Sequence, residues 1–146
     1  MRPGTRHILL AASVLCAGLA LASAAGNEDF KIIVNPNNPV SEIDRDFVRD
    51  AYLRKTGTWD GGVALRPVDL ASRFPVRGRF VHDVLRKSPA QLKSYWNQQI
   101  FSGKGVPPPE VEATASVVAY VLANPGSIGY LPFDADPGEA KVVKVK

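Results

Sequence analysis

Three arginines stand close together in the stretch RFPVRGRF, which covers residues 73–80. A guanidinium presents a planar fork of N–H donors that fits a carboxylate or phosphate, so arginines at the start of a helix can build an anion site. Ser72, directly before the stretch, would add a hydroxyl. The alternative is that these arginines are solvated charges around the start of a helix. Arg73 and Arg77 fit either interpretation.

Arg79 is better explained as a surface residue. On a helix, Arg77 and Arg79 point roughly 200° apart, so they cannot both face one ligand. Arg79 and Asp83 are four residues apart, the spacing of a helical ion pair that contributes about 0.2–0.5 kcal/mol. We therefore expect Arg79 to pair with Asp83 in solvent.

Residues that could support catalysis are scarce. His82 is the only histidine after the first 24 residues, and a general base needs an orienting carboxylate and a nucleophile within reach. The adjacent Asp83 is expected to face elsewhere on the helix, which makes His82 a surface residue. Zinc sites need several Cys or His ligands. The sequence therefore predicts a protein that is not an enzyme and that has no metal site and no cofactor. Among the possible functions, an exported hydrolase is the least supported.

The first 24 residues are typical of a secretory signal peptide. Arg2 and Arg6 precede an apolar run over residues 8–22, and Ala22-Ser23-Ala24 is a small-x-small cleavage pattern. We expect residues 1–24 to be removed on export and residues 25–146 to form one domain in the periplasm.

Export constrains the chemistry of that domain. The single cysteine, Cys16, lies within the predicted signal peptide, so the domain would have to hold its fold without disulfides. Residues 1–24 contain two arginines and no acidic residue, so their removal lowers the formal net charge from +4 to +2. A weakly basic exported domain is not expected to bind nucleic acid.

Hydrophobic periodicity predicts alternating strands and helices. Asp44, Pro75 and the pair Ser88-Pro89 are good helix-start residues. Alternation of this kind favours an α/β domain with a mostly parallel sheet flanked by helices. The predicted strands cover residues 30–34, 63–70, 128–133 and 142–145, and the predicted helices cover residues 45–52, 76–85, 89–100 and 110–123.

Two further features admit a ligand-binding interpretation. In the segment 102–109, Gly103 and Gly105 permit close approach of backbone to a ligand, although its prolines also suit a rigid connector. Trp59, in a glycine-rich turn, could border a cleft or simply pack. Trp96 shares a helical stripe with Leu92 and Ile100, so we expect it in the core.

The order of several motifs resembles the phosphate-binding-protein-like group of type 2 periplasmic binding proteins. The match covers roughly residues 30–135 and implies one lobe of a protein type that usually has two. The matching segments are Phe47 to Lys55 leading to Trp59, Arg66-Pro67-Val68, Phe80 with Val84-Leu85, Tyr95-Trp96, Gly103-x-Gly105, and Asn124-Pro125-Gly126-Ser127-Ile128-Gly129-Tyr130.

This resemblance implies a non-enzymatic solute-binding protein for phosphate or a similar oxyanion in an ABC-type uptake system. Its partners would be a membrane transporter or a sensor protein, and single lobes could associate to complete a cleft. The implied ligand site contains Ser72, Arg73, Arg77, Gly103, Gly105 and Ser127.

The chain departs from the family at the anion loop. The family's Gly-Ser-Gly-Thr segment falls on Arg73-Phe74-Pro75-Val76, and Pro75 has no N–H to donate. Arg77 matches the basic residue that often follows that segment. This departure favours an alternative, a periplasmic interaction or scaffold module whose ligand loop has degenerated.

Overall fold

The computed structural model describes residues 29–146, which form a five-stranded sheet, a two-stranded sheet and four α-helices. The five-stranded sheet has the order β2-β7-β1-β6-β3, and β4 pairs with β5 in the small sheet. The strands are β1 (Phe30–Val34), β2 (Glu42–Ile43), β3 (Arg66–Pro67), β4 (Asp69–Leu70), β5 (Glu110–Val111), β6 (Ser127–Pro132) and β7 (Lys141–Val145).

The five-stranded sheet is mixed, so the expectation of a mostly parallel sheet is not confirmed. The central strand β1 runs antiparallel to both of its neighbours, β6 and β7. The parallel pairs are β2 with β7, β3 with β6, and β4 with β5. Both neighbours of β1 come from the C-terminal part of the chain, and an alternation of strands and helices along a sequence does not indicate which strands will pair.

Four α-helices surround the sheets: α1 (Arg45–Tyr52), α2 (Pro75–Phe80), α3 (Pro89–Phe101) and α4 (Thr114–Ala123). A π-helical segment, Val81–Leu85, continues α2. The predicted start of α3 is confirmed by a reciprocal cap, in which the Gln91 N–H donates to Ser88 Oγ and the Ser88 N–H donates to Gln91 Oε1. Asp44 occupies the N-cap position of α1 without a side-chain cap bond.

Two predicted elements were wrong in ways that matter for the site. Residues 110–111 are strand rather than helix, because they pair with residues 69–70. The predicted strand 63–70 is divided between the two sheets: the Val68 N–H donates to the Ile128 carbonyl, whereas the Asp69 N–H donates to the Pro109 carbonyl. The chain thus passes from one sheet to the other between Val68 and Asp69.

An aromatic cluster packs the helices onto the large sheet. The ring of Phe80 stacks on Tyr130, with 3.9 Å between centroids, and meets Tyr52 edge-on at 4.7 Å. All three side chains are essentially buried. This cluster joins α1, α2 and β6, and it fixes the position of α2, which carries the arginines.

The predicted signal peptide, residues 1–24, lies outside the described residues. Between Asp29 and Lys146, no helix is both long enough and apolar enough to cross a membrane.

Candidate functional site

Arg77 lies in the first turn of α2, with its guanidinium turned towards the protein. Proline suits the first position of a helix, and Pro75 starts this one. The Arg77 side chain is 19% exposed. Its Nε donates to Asp69 Oδ2 at 3.2 Å, and one terminal nitrogen lies 3.2 Å from the same oxygen and 3.6 Å from Glu110 Oε1. Two carboxylates therefore share the charge of Arg77.

Asp69, which is not among the predicted site residues, is the buried centre of this polar cluster. Its Oδ1 accepts the Leu70 N–H at 2.8 Å and the Tyr130 hydroxyl, while Oδ2 accepts from Arg77. The signal in the sequence is a carboxylate between Val68 and Leu70, where burial without a partner would cost several kcal/mol. A carboxylate inside an apolar strand therefore indicates that a cation lies close to it, and in the structure this cation is Arg77.

The tyrosines around this cluster are poor acids. Burial, followed by the negative charge of Asp69, raises the pKa of Tyr130 well above its ordinary value. Burial also raises the pKa of Tyr52 well above 10, with smaller contributions from Tyr130 and Asp69. The Tyr52 hydroxyl donates to the Val68 carbonyl at 2.8 Å. Both hydroxyls therefore remain protonated donors in the folded protein at neutral pH.

We expect the protein to lose stability steeply above about pH 10. In that range the unfolded chain releases the protons of Tyr52 and Tyr130 while the folded chain retains them, so unfolding becomes easier as the pH rises. Each tyrosine contributes a decrease of about 1.4 kcal/mol per pH unit. Urea unfolding between pH 9 and 11 measures this slope. Tyr130→Phe should remove the contribution of one tyrosine from the slope, and an unchanged slope would contradict the assignment.

A cavity of about 350 Å³ opens beside Arg77, between α2, α3 and the segment before β5. Its polar lining consists of Ser72, Arg77, Lys93 and Glu110. Apolar walls come from Val81, Leu92 and Trp96. The cavity therefore offers two cations, one carboxylate and an aromatic wall, which is a suitable arrangement for holding a small charged molecule with an apolar body. We name it the Arg77 cavity.

Of the six residues predicted to bind ligand, the structure brings Ser72 and Arg77 together at this cavity. Arg73 instead forms an exposed ion pair with Glu112, and its guanidinium lies 4.9 Å from the centre of the Phe74 ring. Contacts with Glu112 and Phe74 therefore hold Arg73 at the surface, away from the cavity that Arg77 lines.

The other three predicted residues do not line the Arg77 cavity. Gly103 adopts a positive φ of 69° just after α3 and is exposed. Gly105 is half-buried beside Arg54. Ser127 is fully buried at the start of β6, and its hydroxyl donates to the carbonyls of Val121 in α4 and of Asn124 at 2.8 and 2.6 Å. From the segment 102–109, it is Pro107 that reaches the cavity.

Arg79 does not form the predicted pair with Asp83. Its Nε lies 3.2 Å from Asp29 Oδ2. Asp83 instead lies 2.7 Å from Nδ1 of His82, whose side chain is 85% exposed, so the expectation that these neighbours face apart was wrong. Both residues belong to the π-helical segment, where the wider turn changes side-chain directions from those of an α-helix.

The tryptophans occupy packed positions. Trp96 is buried with Leu92, as predicted, but Ile100 on the same stripe is half-exposed. Trp59 is also buried, and its indole N–H donates to the Gly126 carbonyl at 2.8 Å. Within residues 29–146, no three side chains of the His, Cys, Asp and Glu types stand close enough together to hold a metal ion.

Comparison with solved structures identifies the fold. The chain is similar to a phosphate ABC transporter substrate-binding protein from Clostridium perfringens, solved with bound phosphate, at 20% identity and a TM-score of 0.62. It is similar to an ABC-type phosphate transport receptor from Vibrio cholerae at 14% identity and a TM-score of 0.61. It is also similar to PstS from Borrelia burgdorferi at 11% identity and a TM-score of 0.61.

These alignments cover 80%, 80% and 81% of this chain but 44%, 46% and 47% of the three solved chains. No protein family model matches the chain, and no curated protein matches it. The expected fold is thereby confirmed: the chain has the fold of the phosphate-type periplasmic binding proteins, over a length that spans less than half of each of these three chains.

Proposed function

We propose that the protein is an exported solute-binding lobe that takes a small oxyanion in the Arg77 cavity. One observation carries this proposal: a guanidinium and an ammonium, from Arg77 and Lys93, line a concave site that also has an aromatic wall. The fold shared with phosphate-binding proteins supports the same class of ligand. Binding would depend on charge and hydrogen bonds, with no covalent step and no cofactor.

The charge balance favours a monocarboxylate with an apolar body over inorganic phosphate. Asp69 already neutralises Arg77, and Glu110 lies 3.6 Å from the guanidinium, so a dianion would meet a carboxylate at close range. The start of α2 offers little compensation, because Pro75 has no N–H to donate. The walls formed by Leu92 and Trp96 remain unused by phosphate but would contact an apolar ligand.

In this proposal the ligand is delivered to a membrane transporter or a sensor protein. Because the chain spans less than half of each of these neighbours, a second copy or another lobe would close the cavity. Ser72 stays a proposed ligand contact through its place in the cavity lining. Arg73, Gly103, Gly105 and Ser127 do not line this cavity, so of the six predicted residues the proposed site includes Ser72 and Arg77.

A second candidate function, an interaction module, is favoured by one surface feature. Phe101 is 95% exposed at the end of α3; the preceding Ile100 is 53% exposed, and Val106, five residues further along the chain, is 60% exposed. Exposed apolar groups that lie together often mark contacts with other proteins. In this case the lobe would be a scaffold and its partner would supply the function.

NMR titration of the two indole N–H signals tests the solute-binding proposal. Benzoate is expected to shift the Trp96 signal at millimolar concentration, and phosphate and sulfate are expected to shift it less. Lys93→Gln should weaken benzoate binding about three- to tenfold, the effect of losing one solvent-accessible hydrogen bond worth about 0.5–1.5 kcal/mol. Lys55→Gln removes an exposed lysine that does not line the cavity and should leave the affinity unchanged.

Three results would decide against a carboxylate site. The first is an indole N–H signal of Trp96 that does not shift at any benzoate concentration tested. The second is equal affinity of Lys93→Gln and Lys55→Gln for benzoate. The third is tighter binding of phosphate than of benzoate. The last result would retain an oxyanion site and reject only the preference for a carboxylate. Absence of every response would leave the interaction module as the better explanation.

A further inference from the structure

We propose that the protein has a second ligand site, for a small neutral molecule that carries a carbonyl group. The site is a cavity of about 350 Å³ at the end of β1 and the start of β6, bordered by the turn that contains Trp59. It shares no lining residue with the Arg77 cavity. The volume lies near the lower end of the range for small-molecule pockets, roughly 300–1,000 Å³. We name it the Trp59 cavity.

The walls of the Trp59 cavity are mainly apolar and are held in place. Pro39, Val40, Val63 and Pro125 line it together with Trp59. The Trp59 indole is anchored by its bond to the Gly126 carbonyl and by the Phe47 ring, whose centroid lies 5.3 Å away. The wall is therefore formed before any ligand arrives, which reduces the entropy that binding must overcome.

Val63 shows that this wall is not simply part of the core. The residue is 50% exposed although it lines a concave apolar surface. A ligand in the cavity would remove apolar surface of Val63, Pro39 and Pro125 from water, and that burial supplies the driving force for an uncharged molecule.

Asn38 supplies a polar group that the fold itself does not use. The residue is 9% exposed, and its Oδ1 accepts the Val40 N–H at 3.0 Å. The side-chain Nδ2, by contrast, has no hydrogen-bond partner among residues 29–146. Asn38 is part of the cavity lining. Because Asn38 lines the cavity, this amide group can donate to a ligand that carries an acceptor, such as a carbonyl oxygen.

Asn35, unlike Asn38, has its side-chain amide engaged by the protein. Asn35 also lines the cavity, but its Nδ2 donates to the Val121 carbonyl at 2.9 Å and its Oδ1 accepts the Asn37 N–H at 3.0 Å. Asn35 thus ties the segment after β1 to α4. The side-chain NH₂ group of Asn38, in contrast, can donate to a ligand.

The charges around the cavity favour a neutral ligand. Asp60 is the single ionisable residue of its lining and is exposed, so an anion would be repelled at the rim. The ammonium of Lys141 lies 3.0 Å from the main-chain carbonyl oxygen of Asn38, and its positive charge disfavours a cationic ligand. A neutral molecule avoids both penalties.

Benzamide, benzoate and benzamidine provide probes of one shape and different charge. Benzamide, which is neutral and has a carbonyl, is expected to shift the Trp59 indole signal in an NMR titration. Benzoate should act mainly on Trp96, and benzamidine, which has no acceptor oxygen, should have the weakest effect on Trp59. Trp96→Phe leaves one indole signal and thereby assigns the two.

Two variants test the geometry independently. Asn38→Asp keeps the oxygen that accepts the Val40 N–H but removes the free donor, and it should weaken benzamide binding at least about fivefold. Val63→Phe should block the cavity from its exposed side and abolish the shift, while Val142→Phe, at an exposed position outside the cavity, is the matched control.

The proposal is overturned if benzamide leaves the Trp59 signal unchanged, or if benzoate shifts it as strongly as benzamide does. It is also overturned if the Val63→Phe variant still binds benzamide with unchanged affinity. Because the readouts use different tryptophans, failure at Trp59 is distinguishable from failure of the oxyanion site at Trp96.

Discussion

Replacement of Asp69 by leucine is expected to reduce the free energy of unfolding by about 3–5 kcal/mol, the usual cost of removing one partner from a buried ion pair. The leucine would leave the Arg77 guanidinium, the Tyr130 hydroxyl and the Leu70 N–H without their shared acceptor. Glu110, at 3.6 Å from Arg77, compensates only part of the charge. Urea unfolding of the wild type and the variant measures the difference.

A double-mutant cycle separates the pair from its surroundings. Asp69→Leu combined with Arg77→Met replaces both charges by apolar groups of similar size, and the double variant should be more stable than Asp69→Leu alone. We expect a coupling energy above about 1 kcal/mol, since contacting residues in one network couple by 0.5–3 kcal/mol. Glu112→Gln, which breaks the exposed pair with Arg73, should change stability by less than about 0.5 kcal/mol. Purely additive single effects would contradict a buried pair.

The second large effect is expected at Gly126, where alanine should destabilise the protein by about 3 kcal/mol or more. A Cβ at this position would lie 2.0 Å from the Ala64 carbonyl oxygen, and the backbone has a φ of 78°. A left-handed conformation alone costs a non-glycine residue about 1–3 kcal/mol. The Gly126 carbonyl also accepts from Trp59 and from the Arg66 N–H, so any shift of this turn disturbs both contacts.

Gly78→Ala is the matched control for that substitution. Gly78 lies in α2 without a positive φ, and an added Cβ would meet no atom within 4 Å. Alanine there should stabilise the protein by about 0.5–1 kcal/mol, because it restricts the unfolded chain and suits a helix. Thermal unfolding of the two variants should therefore move in opposite directions. Equal shifts would show that the Gly126 turn relaxes easily.

The sequence was sufficient to predict most helices and the long strands, because their signals are local. The cap at Ser88, the proline at the start of α2 and the apolar run of β1 each depend on a few adjacent residues. Residues 110–111 were assigned to a helix because their strand character comes from pairing with residues 69–70, some 40 residues earlier. The direction of the strands beside β1 depends on equally distant pairings.

The candidate site was predicted only in part for the same reason. Arg77 was predicted from its position near a helix start and from its match to the family, and Ser72 from its place directly before the arginine-rich stretch. Asp69 and Glu110 meet Arg77 only because β4 and β5 pair. Lys93 reaches the cavity from α3, and nothing in the sequence near it indicates that. A ligand prediction that considered the arginines alone therefore overestimated the positive charge of the site.

The two edge strands of the five-stranded sheet determine how this lobe can bind another protein. The strands at its two edges, β2 and β3, have two residues each, and Pro67 in β3 has no N–H to donate. Such short edges are poor templates for backbone pairing with a further strand, which also protects against aggregation. Growth of the sheet across a subunit boundary is thus disfavoured. A second lobe, or any partner of this domain, would have to be recognised through side chains and surface shape.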